Sequence, residues 1–286
     1  MNIAVAQSGG PTCAINASLV GVFSEALKEP SIDAIFGSIN GIEGMIDDHL
    51  IDLKTMIRTN EDMEMLLQTP STVLGSCRYK LKDWHDDDTV YQKIIHCFEQ
   101  RQIGAFFYIG GNDSMDTVLK LSEYVKEKGL NTKIIGIPKT IDNDIYGTDV
   151  TFGFHTAVDI ATDAIDRLHT TANSHSRILL CEIMGNKAGW LTLNAGIAGG
   201  ADIILIPEIP YDIDKVCKSV LKRSESGKNF SIIAVAEGCF DKEEAKLKKK
   251  ERARLRAEAG VITATNRIAA PVSYTHLRAH ETEADL

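Results

Sequence analysis

The sequence predicts a mostly parallel α/β fold, arranged as two Rossmann-like domains of three layers, with the second domain incomplete. Apolar, β-branched runs alternate with amphipathic helical runs along the chain. Two of those strands, Ala105–Ile109 and Ile203–Ile206, are apolar from end to end, as buried strands are. Turns rich in glycine and oxygen-bearing side chains recur where the strands end, the place where open α/β sheets bind ligands.

Asn2–Ala6 reads as a buried strand ending in Ser8-Gly9-Gly10-Pro11-Thr12, and a helical period follows from about Ile15 to Lys28. Asp33–Gly37 is a second strand, followed by the loop Asn40–Gly44. Thr89–Gln102 places Tyr91, Ile94, Ile95 and Phe98 on one side of a helix. Ala105–Ile109 is a strand that breaks at Gly110-Gly111, with a helix over Asp116–Glu127 ended by Gly129. Lys133–Ile137 is a strand that runs into the turn Lys139–Asp144. A long helix, Phe154–Thr171, opens the second half, followed by the strand Arg177–Met184, a short helix at Trp190–Ala195 and the strand Ile203–Ile206. The helix Asp214–Lys222, the strand Ser231–Ala236, a charged helix over Glu243–Ala259 and a helical pattern over Gly260–Ala270 complete the order. From Pro271 the period and the turn chemistry lapse, and the stretch 271–286 is expected to be a foreign tail. The expected domains are 1–145 and 146–270.

At 286 residues the chain is long for one core, which fits two ordinary domains. A net charge of −9 argues against nonspecific nucleic-acid or anionic-membrane partners, so an anionic substrate needs a local cluster of Lys and Arg. Six scattered cysteines without a CxxC pair suit a reducing, cytoplasmic setting. No apolar run is long enough to span a bilayer, and the N-terminus runs directly into a strand with no signal-peptide pattern.

Five segments at strand ends carry the chemistry. Gly9 and Gly10 let backbone amides approach an anion at a helix start, although an ordinary strand–turn–helix junction has the same form. Arg78, in Gly75-Ser76-Cys77-Arg78, can fork onto a phosphate or serve only as surface charge. Gly110-Gly111-Asn112-Asp113-Ser114 combines two glycines with oxygen side chains; Ser114 alone could be a helix cap and Asp113 a dipole partner. In the turn after Lys133–Ile137, Asp142 can take a proton from an attacking hydroxyl. Asp144 can hold a metal or orient Asp142, and Lys139 can neutralise a phosphoryl group in flight. Asx-turn chemistry explains Asp142-Asn143-Asp144 without catalysis but leaves Lys139 and Thr140 unexplained. Met184-Gly185-Asn186, with Arg177 and Lys187, could receive a sugar phosphate, and Glu237 its hydroxyls.

Taken together and in order, these segments resemble the phosphofructokinase family from residue 2 to about 270. The resemblance implies two α/β domains that phosphorylate fructose 6-phosphate to fructose 1,6-bisphosphate in glycolysis, with Mg²⁺. It implies Gly9, Gly10, Arg78, Gly111 and Ser114 around the phosphoryl donor, and Asp142 as proton acceptor flanked by Thr140 and Asp144. Thr140, Ile141, Asp142, Met184, Gly185, Asn186 and Glu237 would meet the sugar phosphate. Arg177 matches a residue that reaches a neighbouring subunit, so a homo-oligomer is expected. Members using pyrophosphate carry aspartate and lysine where Asp113 and Lys139 stand, and members using ATP carry glycine at both places. Pyrophosphate is therefore the expected donor and ATP the alternative; a non-catalytic phosphate-binding subunit is a third. Three departures are visible. Asn112 stands where a metal-binding aspartate is usual, Asn186 where an arginine is usual, and the later turn with a histidine and an arginine is absent.

Overall fold

A computed structural model describes residues 1–260 and 263–273. The chain divides into two compact units, Met1–Gly153 and Phe154–Leu286.

In the first unit, β1 (Asn2–Gln7) is followed by α1 (Ile15–Lys28), β2 (Ile35–Ser38), α2 (Ile42–Ile46), β3 (Leu50–Asp52), α3 (Leu53–Met56) and α4 (Asn60–Gln68). Then come α5 (Thr89–Gln100), β4 (Ile103–Gly110), α6 (Asn112–Glu127) and β5 (Lys133–Pro138). The five strands lie in the order β3-β2-β1-β4-β5. All neighbours are parallel except β2 and β3. Side chains along β1 alternate between two cores. Ile3 and Val5 pack with Ile15, Leu19 and Phe23 of α1. Ala4 and Ala6 pack with Tyr91, Ile94 and Phe98 of α5 and with Leu121 and Tyr124 of α6. Both faces of the sheet are thus covered, which is why β1 is apolar over Ile3–Ala6 and β4 carries no charged residue. Each fully buried Ile, Leu, Val or Phe side chain among these contributes about 1.5–3 kcal/mol of transfer free energy. From β1 the chain turns to β2 on one side and later returns to β4 on the other. The carboxyl ends of β1 and β4 therefore flank a topological switch point, where such sheets open a crevice.

The second unit has α7 (Phe154–His175), β6 (Ile178–Ile183), α8 (Trp190–Ala198), β7 (Ile203–Leu205), α9 (Ile213–Glu225) and β8 (Ser231–Ala236). Its three strands are parallel in the order β6-β8-β7. A 3-10 turn (Glu244–Lys246), α10 (Lys249–Glu258) and a helix over 264–273, α11, follow. Val216 and Val220 of α9, Ile233 and Val235 of β8, and Ala264, Ile268 and Val272 of α11 share one core.

The structure departs from the sequence expectation in three places. The charged run over Glu243–Ala259 is not one helix: the Asp241 carboxylate caps the Glu244 N–H at 2.7 Å, and the chain is extended at Leu247 and Lys248 before α10 starts. Helix α6 starts at Asn112, four residues before the expected Asp116, because Gly111 caps it. Residues 271–273 continue α11, since Ala264, Ile268 and Val272 keep a four-residue period and Val272 is buried. The rest of the expected tail, from residue 274, lies outside the described residues. Among the described residues no helix is long and apolar enough to cross a membrane.

Candidate functional site

In the first unit, four loops meet at the carboxyl ends of β1, β4 and β5. The Ser76 hydroxyl donates to the Gly9 carbonyl at 2.6 Å, and the Ser8 hydroxyl donates to the Cys77 carbonyl at 3.3 Å. The Lys139 N–H donates to the Gly110 carbonyl at 2.9 Å, which joins the loop after β5 to that after β4. Gly9 holds a left-handed φ of +78°, a conformation that favours glycine, and so turns the chain sharply after β1. A Cβ there would lie 3.6 Å from the Lys139 Nζ. The Lys139 ammonium donates to the Gly10 carbonyl and is 2% exposed. Burial holds its pKa down at about 8, against the upward pull of the nearby Asp142 carboxylate.

The turn after Lys139 is built by its middle residue. Asn143 adopts a φ of +53°, and its side chain donates to the Asp149 carbonyl at 3.2 Å and accepts from the Thr151 N–H at 2.9 Å. The buried Thr151 hydroxyl donates to the Thr140 carbonyl at 2.7 Å, and the Asp142 N–H donates to the Thr140 hydroxyl at 3.2 Å. Asx geometry thus accounts for Asn143. Thr140, Ile141, Asp142 and Asp144 are half-buried. Asp144 Oδ1 is buried with no hydrogen-bond partner among the described residues, a state proteins keep for few groups without a role.

Gly111 is the N-cap of α6, and Ser114 is buried in its first turn, so Ser114 does not serve as the cap. Asn112 and Asp113 are exposed in that turn. The Asp113 carboxylate pairs with the Lys80 ammonium at 2.8 Å, and the hydrogen bond raises the lysine's pKa. Arg78 is exposed and has no carboxylate partner among the described residues. Sequence reasoning missed Lys80; its one signal was a second basic residue two positions after Arg78.

In the second unit, the loop after β6 meets the loop after β8. The Gly185 and Asn186 N–H groups both donate to Glu237 Oε1, at 3.0 and 2.7 Å. The Gly189 N–H donates to Glu208 Oε1 at 2.8 Å. Glu237, expected to meet sugar hydroxyls, holds the backbone of the loop through one of its two oxygens. Met184 is exposed, as is Arg177 just ahead of β6. A cavity of about 600 Å³ opens here, lined among others by Asn186, Lys187, Glu208, Glu237, Lys249 and Arg252. Gly238 supports its floor: a Cβ there would lie 1.9 Å from the Asn186 carbonyl oxygen. Gly238→Ala is expected to cost on the order of 1–3 kcal/mol, as overpacking does, read as a fall in melting temperature of several degrees. An unchanged melting temperature would show that the loop yields freely.

The sequence matches the profile of the family described as Phosphofructokinase over residues 2–284. The chain belongs to the phosphofructokinase family. An ATP-dependent 6-phosphofructokinase of Spirochaeta thermophila is 42% identical over 252 residues, covering 86% of this chain and 66% of that protein. Among solved structures, a pyrophosphate-dependent phosphofructokinase from Nitrosospira multiformis aligns with a TM-score of 0.76 at 34% identity, over 85% of this chain and 62% of that one. A second, from Marinobacter aquaeolei, aligns with a TM-score of 0.74 at 32% identity, over 91% and 64%. The chain therefore spans about two-thirds of the length of these phosphofructokinase relatives. The mixed α/β architecture with parallel sheets is that of the phosphofructokinase structures.

Proposed function

We propose that the chain transfers a phosphoryl group from pyrophosphate to the 1-hydroxyl of fructose 6-phosphate, a reversible glycolytic reaction. The first unit would bind the donor and the second the sugar phosphate. The observation that carries the donor assignment is the Lys139 ammonium, buried against the Gly9–Gly10 turn at the switch-point crevice. A small, highly charged donor without an adenosine anchor is held by charge contacts, and a buried ammonium supplies the strongest of these. Asp113 supports the same reading, because a carboxylate in the first turn of α6 adds bulk and like charge where a nucleotide would bring a third phosphate. Gly9, Gly10, Gly111, Ser114 and Arg78 would complete the donor site.

In the transfer, Asp142 accepts the proton of the 1-hydroxyl while the sugar oxygen attacks one phosphorus of pyrophosphate and the other leaves as inorganic phosphate. Thr140 and Asn143 hold the turn that presents this carboxylate. The residues fit a magnesium ion: Asp144 keeps a buried, unpartnered carboxylate oxygen, and Mg²⁺ needs only one or two protein ligands beside substrate phosphates. Asp144 would hold it, with the Asn112 amide oxygen as a weaker ligand. When bound, the ion neutralises phosphate charge.

Two observations favour ATP instead: the Spirochaeta thermophila relative is named ATP-dependent, and Lys80 already neutralises the Asp113 carboxylate. A coupled assay with each donor decides between them. Pyrophosphate turnover well above ATP turnover is expected, and Asp113→Gly should lower it roughly tenfold while admitting ATP. Turnover with ATP and none with pyrophosphate overturns the donor assignment.

A further inference from the structure

We infer that Lys187, Lys249 and Arg252 form the phosphate-recognition wall of the cavity in the second unit, replacing the charge absent at Asn186. The inference rests on the sugar-phosphate reading of that cavity and adds to Lys187 two residues, Lys249 and Arg252, that lie outside the segments carrying the family resemblance. Helix α10 buries no residue at all. A helix with no packed face contributes little to a core, so its sequence is free to present charge. Contacts outside the helix fix its position. The Arg256 guanidinium forks onto the Glu244 carboxylate at 2.7 and 2.8 Å, which occupies its charge. The Arg252 guanidinium lies 4.2 Å from the centroid of the Phe240 ring, which orients it.

Lys187, Lys249 and Arg252 have no carboxylate partner among the described residues, although all three line the cavity. The two acidic lining residues point the other way in function. Glu237 and Glu208 each spend an oxygen on backbone N–H groups of the loop 185–189, which anchors their charge at that side of the cavity. The lining thereby combines cations of α10 and the loop that have no carboxylate partner with two carboxylates anchored to that loop and suited to hydroxyl groups. A phosphate monoester of a polyhydroxylated molecule matches both kinds of group. A volume of about 600 Å³ suits a small molecule and is too small for a folded polyanion.

The test is calorimetric titration of the whole chain at low salt with fructose 6-phosphate, glucose 6-phosphate and fructose. The double variant Lys249→Gln, Arg252→Gln should bind fructose 6-phosphate at least tenfold more weakly and leave pyrophosphate binding unchanged. Arg254→Gln, on the same helix and paired with Glu258, should change nothing. Circular dichroism of the variants confirms that the fold is kept. Native-strength binding of fructose 6-phosphate by the double variant overturns the wall while leaving the sugar-phosphate reading intact. Equal binding of both sugar phosphates, lost together in the double variant, supports the wall and sinks the choice of fructose 6-phosphate. Failure of the native chain to bind any of the sugar phosphates overturns both.

Discussion

Replacing Asp142 by asparagine is expected to lower turnover by about 10²–10⁴-fold while fructose 6-phosphate still binds. The substitution removes the proton acceptor and keeps the shape of the turn. That shape is set by neighbours of Asp142. Its backbone N–H is taken by the Thr140 hydroxyl, and Asn143 and Thr151 close the loop through the Asp149 and Thr140 carbonyls. An amide at position 142 keeps the size and the backbone contact but cannot accept a full proton at neutral pH. Initial rates in a coupled assay give kcat, and titration of the sugar phosphate gives binding separately. A variant that keeps native kcat would remove Asp142 from the chemistry. Native protein with no turnover to lose, but with sugar-phosphate binding intact, would favour a non-catalytic binding subunit.

Much of the strand-end architecture of the first unit was legible because the apolar run of β4 stops at Gly110-Gly111, β5 stops at Pro138 and β1 is followed by Ser8-Gly9-Gly10. Each stop marks a loop, and a parallel sheet gathers such loops at one edge. Strand β3 and helices α2 to α4 were not legible, since elements of three to nine residues carry too little period to register against loop chemistry. The partnership of Lys80 with Asp113 joins positions 33 residues apart and depends on how the loop after Gly75 crosses the start of α6. The direction of Lys139 was equally hidden. A lysine in a turn reads as a solvent-exposed ammonium, but the pairing of β5 with β4 brings position 139 against Gly110 and directs its side chain at the Gly9–Gly10 turn. In the second unit, Met184, Asn186 and Glu237 were found as strand-end residues. The contribution of α10 was not found, because a run of lysine and arginine reads as a solvated face.

The burial of Lys139 carries a pH dependence with a definite sign. Its pKa is held at about 8, below the ordinary 10.5, because burial disfavours the ammonium more than Asp142 favours it. Below pH 8 the side chain is charged and, in the proposed donor site, would hold the anion; above pH 8 it is increasingly neutral. Pyrophosphate affinity is therefore expected to be level up to about pH 7 and roughly tenfold weaker at pH 9, following the loss of protonated lysine. Pyrophosphate gains charge over the same range, which acts in the opposite sense, so the comparison must be internal. Lys139→Met supplies it. The variant should bind pyrophosphate about 10–150-fold more weakly at pH 7, the range for one charge-assisted contact of about 1.5–3 kcal/mol, and should show only the rise due to the anion itself. Folding stability gives a second readout. Between pH 8 and 10.5 the unfolded chain binds the extra proton, so native stability should rise with pH across that window, and Lys139→Met should flatten the rise. Parallel pyrophosphate-affinity profiles for native protein and variant would place the Lys139 ammonium outside the donor site, and the case for pyrophosphate would then rest on Asp113 alone.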